Sequence, residues 1–140
     1  MPVDLDSMAE NADRIWEESI LPSLSEFIEI HALSPMFEPN WDELGELQAT
    51  LDLFCSWLDN QGLQGMSYNV HRIANHSPVL LVTIEGTGSG EVLFYSHLDK
   101  QPSRPHLWSE GLHPLKAVRR EPFLYGRGSV DDGYGGYLCV

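Results

Sequence analysis

Between residues 10 and 31, apolar side chains recur at helical spacing. Ile20, Leu24, Phe27 and Ile28 share one face, while Glu17, Glu18, Glu26 and Glu29 fall mostly elsewhere. The pattern predicts a helix, with a kink or restart at Pro22, which has no backbone N–H to donate. Residues 32–39, Ala-Leu-Ser-Pro-Met-Phe-Glu-Pro, cannot continue it and are expected to form a loop, bordered by His31 as a surface or hinge histidine. A second helix is clearer: Leu44, Leu47, Leu51, Phe54 and Leu58 repeat in steps of three and four. Asn40 is expected to cap it with Glu43 in capping-box position, and Gly62 to end it in the left-handed conformation. The repeat is too short for a coiled coil, so a core-facing helix is expected.

From Leu63 the period changes. Met66, Tyr68 and Val70 alternate with polar neighbours, as on a half-exposed strand. Val79–Ile84 is a denser apolar run, followed by Glu85-Gly86-Thr87-Gly88-Ser89-Gly90 and then by Val92–Tyr95, expected to be a buried strand. The glycine-rich segment lacks the Lys-Ser/Thr of a phosphate loop and leads into a strand rather than a helix, so it is expected to be a hairpin connection. Residues 101–123, with four prolines, are expected to be loop. Leu124-Tyr125 is expected to form one more short strand, and a helix to begin near Tyr137. Two helices, several strands and a further helix predict an α/β or α+β layered domain without internal repeat or domain boundary.

Composition changes this picture at one point. At 140 residues, with 42% hydrophobic and 21% charged residues, the chain is long and apolar enough to bury a core, which argues against disorder. The net charge of -13 is the outlier. It repels phosphate backbones and anionic lipid surfaces, so we expect no nucleic acid and no membrane among the partners. The stretch Met1–Arg14 is polar and acidic, with no basic flank leading into an apolar core, unlike a secretory signal. The longest uninterrupted apolar run, Val79–Val82, is far too short to span a bilayer. A cytoplasmic location is expected, with Cys55 and Cys139 as reduced, buried thiols.

Two polar clusters stand out, each placed where a strand is expected to end. His97 and Asp99 lie two apart, so strand geometry would point both to one side. Imidazole suits zinc, cobalt or manganese, and a neighbouring carboxylate can hold the other ring nitrogen. Asp131 and Asp132 follow the turn Gly126-Arg127-Gly128-Ser129. Taken singly, neither pair specifies a site, since adjacent carboxylates belong as readily to a solvated turn. An EF-hand fails because Gly133 occupies a position that needs an oxygen ligand. A serine hydrolase fails because neither Ser96 nor Ser129 sits in Gly-x-Ser-x-Gly. His71, His76, His106 and His113 are expected in loops or on the surface.

In order and at this separation, Ser96-His97-Leu98-Asp99-Lys100-Gln101-Pro102 and Leu124-Tyr125-Gly126-Arg127-Gly128-Ser129-Val130-Asp131-Asp132 closely resemble the dinuclear zinc metallopeptidase family. That family includes carnosinase, succinyl-diaminopimelate desuccinylase, acetylornithine deacetylase and glutamate carboxypeptidases. Leu33-Ser34-Pro35-Met36-Phe37, Asn40-Trp41 and the Trp108–Pro114 loop extend the likeness over most of the chain. The family commonly has Asp-Asp-Lys-Gly where this chain has Asp132-Gly133-Tyr134-Gly135 after Asp131, which marks a subgroup and leaves the substrate open.

The resemblance implies a three-layer α/β/α catalytic domain with a mixed sheet, of which residues 1–140 are expected to be the N-terminal portion. It implies hydrolysis of amide or peptide bonds, of dipeptidase, carboxypeptidase or deacylase type. His97 would ligate one metal, and Asp99 would be the catalytic-site carboxylate that orients it. Asp131 would bridge two metals, Asp132 would be its cis-peptide partner, and Arg127 with its flanking glycines would shape the turn. Two divalent ions are implied, zinc first, with cobalt or manganese as alternatives. The implied substrate is a small peptide or N-acyl amino acid, and the complete enzyme would be a homodimer. In the family the general-base glutamate, the remaining acidic ligands and the final histidine follow the Asp-Asp motif, whereas no acid or histidine follows Asp132 here. We therefore expect a fragment carrying at most one partial metal site and inactive alone. The alternative is a non-catalytic piece that binds one metal weakly, or only a partner chain.

Overall fold

Asp4 opens the first helix, its carboxylate accepting the backbone N–H of Ser7 at 3.2 Å. In the computed structural model, which describes residues 4–140, this helix (α1) runs Leu5–Ile15, earlier than the periodicity suggests, and none of its residues is buried. A π-helical turn, Trp16–Ile20, joins it to α2, Leu21–Glu29. The irregularity therefore precedes Pro22 rather than falling on it. The Leu21 N–H reaches back five residues to the Trp16 carbonyl, and this wider turn puts Pro22 in the first turn of α2, where a missing donor is tolerated. Ile20, Leu24, Phe27 and Ile28 are all buried, as their spacing indicates.

The second helix differs from expectation at its start. Gly45 takes a left-handed conformation (φ 69°), which divides the helix into a single turn, α3 (Trp41–Leu44), and the long α4 (Glu46–Asp59). Asn40 makes no side-chain capping bond, and no capping box forms with Glu43. The Asn40 N–H donates instead to the Glu38 carboxylate at 3.0 Å. Leu44 consequently leaves the apolar stripe and is 54% exposed, whereas Leu47, Leu51, Phe54 and Leu58 are buried. Gly62 adopts the left-handed conformation just past the helix (φ 62°).

The core sits where α2 meets α4 and the last helix, α5 (Gly133–Leu138). Tyr137 stands edge-on to Phe54 and Trp57, with ring centroids at 5.0 and 4.7 Å. Its hydroxyl meets Ser23 Oγ at 2.8 Å, and the Trp57 indole donates to Ser19 Oγ at 2.9 Å, so the polar edges of both rings are satisfied. Full burial of such side chains contributes about 1.5–3 kcal/mol each.

The strands form two small antiparallel pairs. β1 (Met66–His71) lies against β2 (Val79–Ile84), with Met66 opposite Ile84 and His71 opposite Val79. β3 (Val118–Arg120) lies against β4 (Phe123–Tyr125). The architecture is thus mixed helix and strand. Two expectations fail here. Glu85–Gly90 is not a hairpin connection, because the partner of β2 is the preceding β1. Val92–Tyr95 is neither a strand nor buried: its four side chains are 63–93% exposed. An apolar run signals a preference for burial, but pairing also needs a neighbouring edge, and none adjoins it. β3 lies inside residues 101–123, expected to be loop; two of its three residues are arginines, so no apolar alternation marks it. Cys55 and Cys139 are unbridged and half-buried rather than buried. Among the described residues, no helix is long and apolar enough to cross a membrane.

Candidate metal centre

The extended segment that carries His97 and Asp99 is fastened at its far end. Lys100 forms a parallel bridge with Leu33: its N–H donates to the Ala32 carbonyl at 2.8 Å, and its own carbonyl accepts from Ser34 at 2.9 Å. The turn that carries Asp131 comes from β4. There Gly126 and Gly128 lie against the end of α2. A Cβ on Gly126 would run into Ile28, and one on Gly128 would stand 2.8 Å from the Phe27 ring. Ser129 closes the turn, its hydroxyl donating to the Gly126 carbonyl at 2.9 Å. The Arg127 N–H donates to the Pro114 carbonyl at 2.7 Å, and its guanidinium donates to the Pro102 carbonyl at 3.2 Å, tying the two segments together.

These tethers bring the two clusters face to face. His97 Nδ1 lies 3.0 Å from both the carbonyl oxygen and the carboxylate of Asp99. Both partners can only accept, so Nδ1 carries the proton. Nε2 lies 3.3 Å from Asp131 Oδ1. With the proton on Nδ1, the Nε2 lone pair is free to ligate, and the Asp131 carboxylate lies close enough to share an ion with it. Imidazole nitrogen and carboxylate oxygen are donors that zinc accepts, and a ring whose other nitrogen is held by a backbone carbonyl, here that of Asp99 with its carboxylate close by, is a usual support for a ligating histidine. The pair therefore fits a metal as a partial donor set. Among the described residues, no group of three or more His, Cys, Asp or Glu side chains gathers around one point.

Asp132 does not join the pair. The peptide between Asp131 and Asp132 is cis, and the Asp132 carbonyl accepts from Ser96 Oγ at 3.2 Å, a further link between the clusters. Gly133 is buried. A Cβ there would overlap the Phe27 ring and stand 2.6 Å from the Gly128 carbonyl oxygen. His71, His76 and His106 are exposed, and His113 accepts the Leu115 N–H at 3.1 Å, all away from the pair.

Lys100 was given no role by its sequence context. It is 1% exposed, and its Nζ donates to the carbonyls of Phe27 (2.6 Å), Ile28 (3.2 Å) and Ile30, at the C-terminal end of α2, while lying 4.2 Å from the Phe27 ring centre. Burial pulls this amino group down to about 7, against a smaller opposing pull from the Glu46 carboxylate. A lysine beside a polar motif in an acidic chain carries no signal of burial.

No protein-family model matches the chain, and no curated protein matches it.

Proposed function

We propose that this chain supplies the His97–Asp131 half of a metal-dependent hydrolase site acting on amide or peptide bonds, within a three-layer α/β/α peptidase domain. The observation that carries this is the proximity of the pair: His97 Nε2 lies 3.3 Å from Asp131 Oδ1 while Nδ1 is engaged by Asp99. His97 and Asp131 would hold zinc, with cobalt or manganese as alternatives. A bound divalent ion there supplies Lewis-acid polarisation of a carbonyl and a water acidified towards pKa ~7. Asp99 keeps the His97 ring in one tautomer and one orientation. Asp131, 61% exposed at its side chain, leaves the metal position open towards solvent and a small peptide or N-acyl amino acid. By its resemblance we assign the general base and the remaining ligands to segments other than these two clusters.

Zinc titration by calorimetry tests the assignment. Binding is expected to be lost in His97→Ala and weakened at least about tenfold in Asp131→Asn, as for loss of a metal-supporting group. Unchanged binding in both variants would overturn the metal assignment. Zinc-dependent dipeptide turnover by the chain alone, abolished by His97→Ala, would show that it needs no second segment and would refute the reading of a non-catalytic piece.

A further inference from the structure

We infer that Lys100 is the positioning residue of this centre, holding the His97 segment and the Asp131 turn to one reference point, the C-terminal end of α2. The inference rests on the metal assignment above. Lys100 lies three positions after His97, and both its main chain and its side chain are fixed. Its backbone bridges Leu33, and its amino group reaches the carbonyls of Phe27, Ile28 and Ile30. Those carbonyls belong to the last turn of α2 and the residue just past it, where a helix runs short of backbone donors, although the Phe27 carbonyl also takes the Ile30 N–H at 3.2 Å. A surface salt bridge would tolerate drift, but a group 1% exposed with three acceptors around it does not.

The other half of the pair stands on the same group. Gly128, three residues before Asp131, has a left-handed backbone (φ 87°), and a Cβ there would be 3.0 Å from Lys100 Cε and 2.8 Å from the Phe27 ring. The turn therefore packs on the lysine stem and on the ring beneath it. His97 is referenced to α2 through the head of Lys100, and Asp131 through the stem and Phe27. Alongside the Arg127–Pro102 and Ser96–Asp132 links, Lys100 thus sets the separation between Nε2 and Oδ1 from beneath the centre.

Cobalt(II) chloride titration, followed by the visible absorption of the bound ion, tests this on the whole chain, with near-UV circular dichroism confirming that each variant is folded. Lys100→Met keeps the length of the side chain and removes its donors. It is expected to bind cobalt at least about tenfold more weakly than wild type and to change the band shape, because the ligands no longer meet at one geometry. Lys100→Arg, which restores donors and charge, is expected to recover part of the loss. Leu24→Ala, a core truncation on the same helix, is expected to lower stability yet keep affinity within about threefold and the band unchanged. If Lys100→Met does not fold, Lys100→Gln stands in with the same thresholds. Wild-type affinity and band shape in the Lys100 variant, or an equal loss in Leu24→Ala, would overturn the positioning role. Failure of wild type to bind cobalt through His97, shown by an unchanged His97→Ala, would overturn the metal assignment itself.

Discussion

Gly133→Ala sets a general rule against a specific contact. Gly133 is the first residue of α5, and replacing a helical glycine by alanine ordinarily stabilises by up to about 1 kcal/mol. Here the added Cβ would overlap the Phe27 ring and stand 2.6 Å from the Gly128 carbonyl oxygen. The ring is 1% exposed within the buried core, and the carbonyl belongs to a turn already pressed on α2, so neither can yield cheaply. Overpacking of this kind costs about 1–3 kcal/mol, which outweighs the helical gain. We expect a net loss of about 1–2 kcal/mol, roughly a five- to thirtyfold shift in the folding equilibrium. Urea unfolding followed by tryptophan fluorescence would read it as a lower midpoint with an unchanged slope. In a Phe27→Leu background, where the ring is gone, the same substitution should cost about 1 kcal/mol less, a coupling within the range of touching residues. A neutral or stabilising Gly133→Ala, or zero coupling to Phe27, would refute the packing described.

Two further tests concern the core. Tyr137→Phe removes the 2.8 Å bond to Ser23 and strands a buried hydroxyl, so a loss of about 1–2 kcal/mol is expected from urea unfolding. Burial pushes the Tyr137 phenol up to about 12, so absorbance at alkaline pH should show one tyrosine ionising well after the exposed ones. The Lys100 amino group is held at about 7 when folded and returns to its ordinary 10.5 when unfolded. Between those values the unfolded chain binds the extra proton, so this group's contribution to stability rises with pH, and it is flat below about 7. The stability of wild type relative to Lys100→Met should therefore increase from pH 7 to pH 10, read by urea unfolding at each pH; parallel profiles would contradict the lowering of this amino group by burial.

The helices were legible because their apolar faces repeat over several turns: Ile20 through Ile28 and Leu47 through Leu58 are buried as their spacing implies. The breaks were not. The π-turn before Pro22 and the left-handed Gly45 each resolve a conflict between backbone hydrogen bonding and packing that one position in the sequence does not display. Val92–Tyr95 shows the limit of composition, since four apolar residues look the same whether or not a sheet edge lies beside them. At the candidate centre, neither pair specified a site by itself; the resemblance of the two motifs in order pointed to His97, Asp99 and Asp131, which the fold places close to one another. The supports beneath them, Lys100 and the glycines pressed on Phe27 and Ile28, depend on contacts between segments about 70 to 100 residues apart. No local pattern reports those.

The central claim is that His97 offers Nε2 to a metal shared with Asp131 while Nδ1 stays protonated on Asp99. Long-range proton–nitrogen correlation spectra of the histidine rings, recorded before and after one equivalent of zinc, test it most directly. We predict that one ring, absent in His97→Ala, shows its Nε2 resonance move to the metal-bound position with Nδ1 remaining protonated. A His97 ring that ignores zinc, or that binds it through Nδ1, would contradict the account.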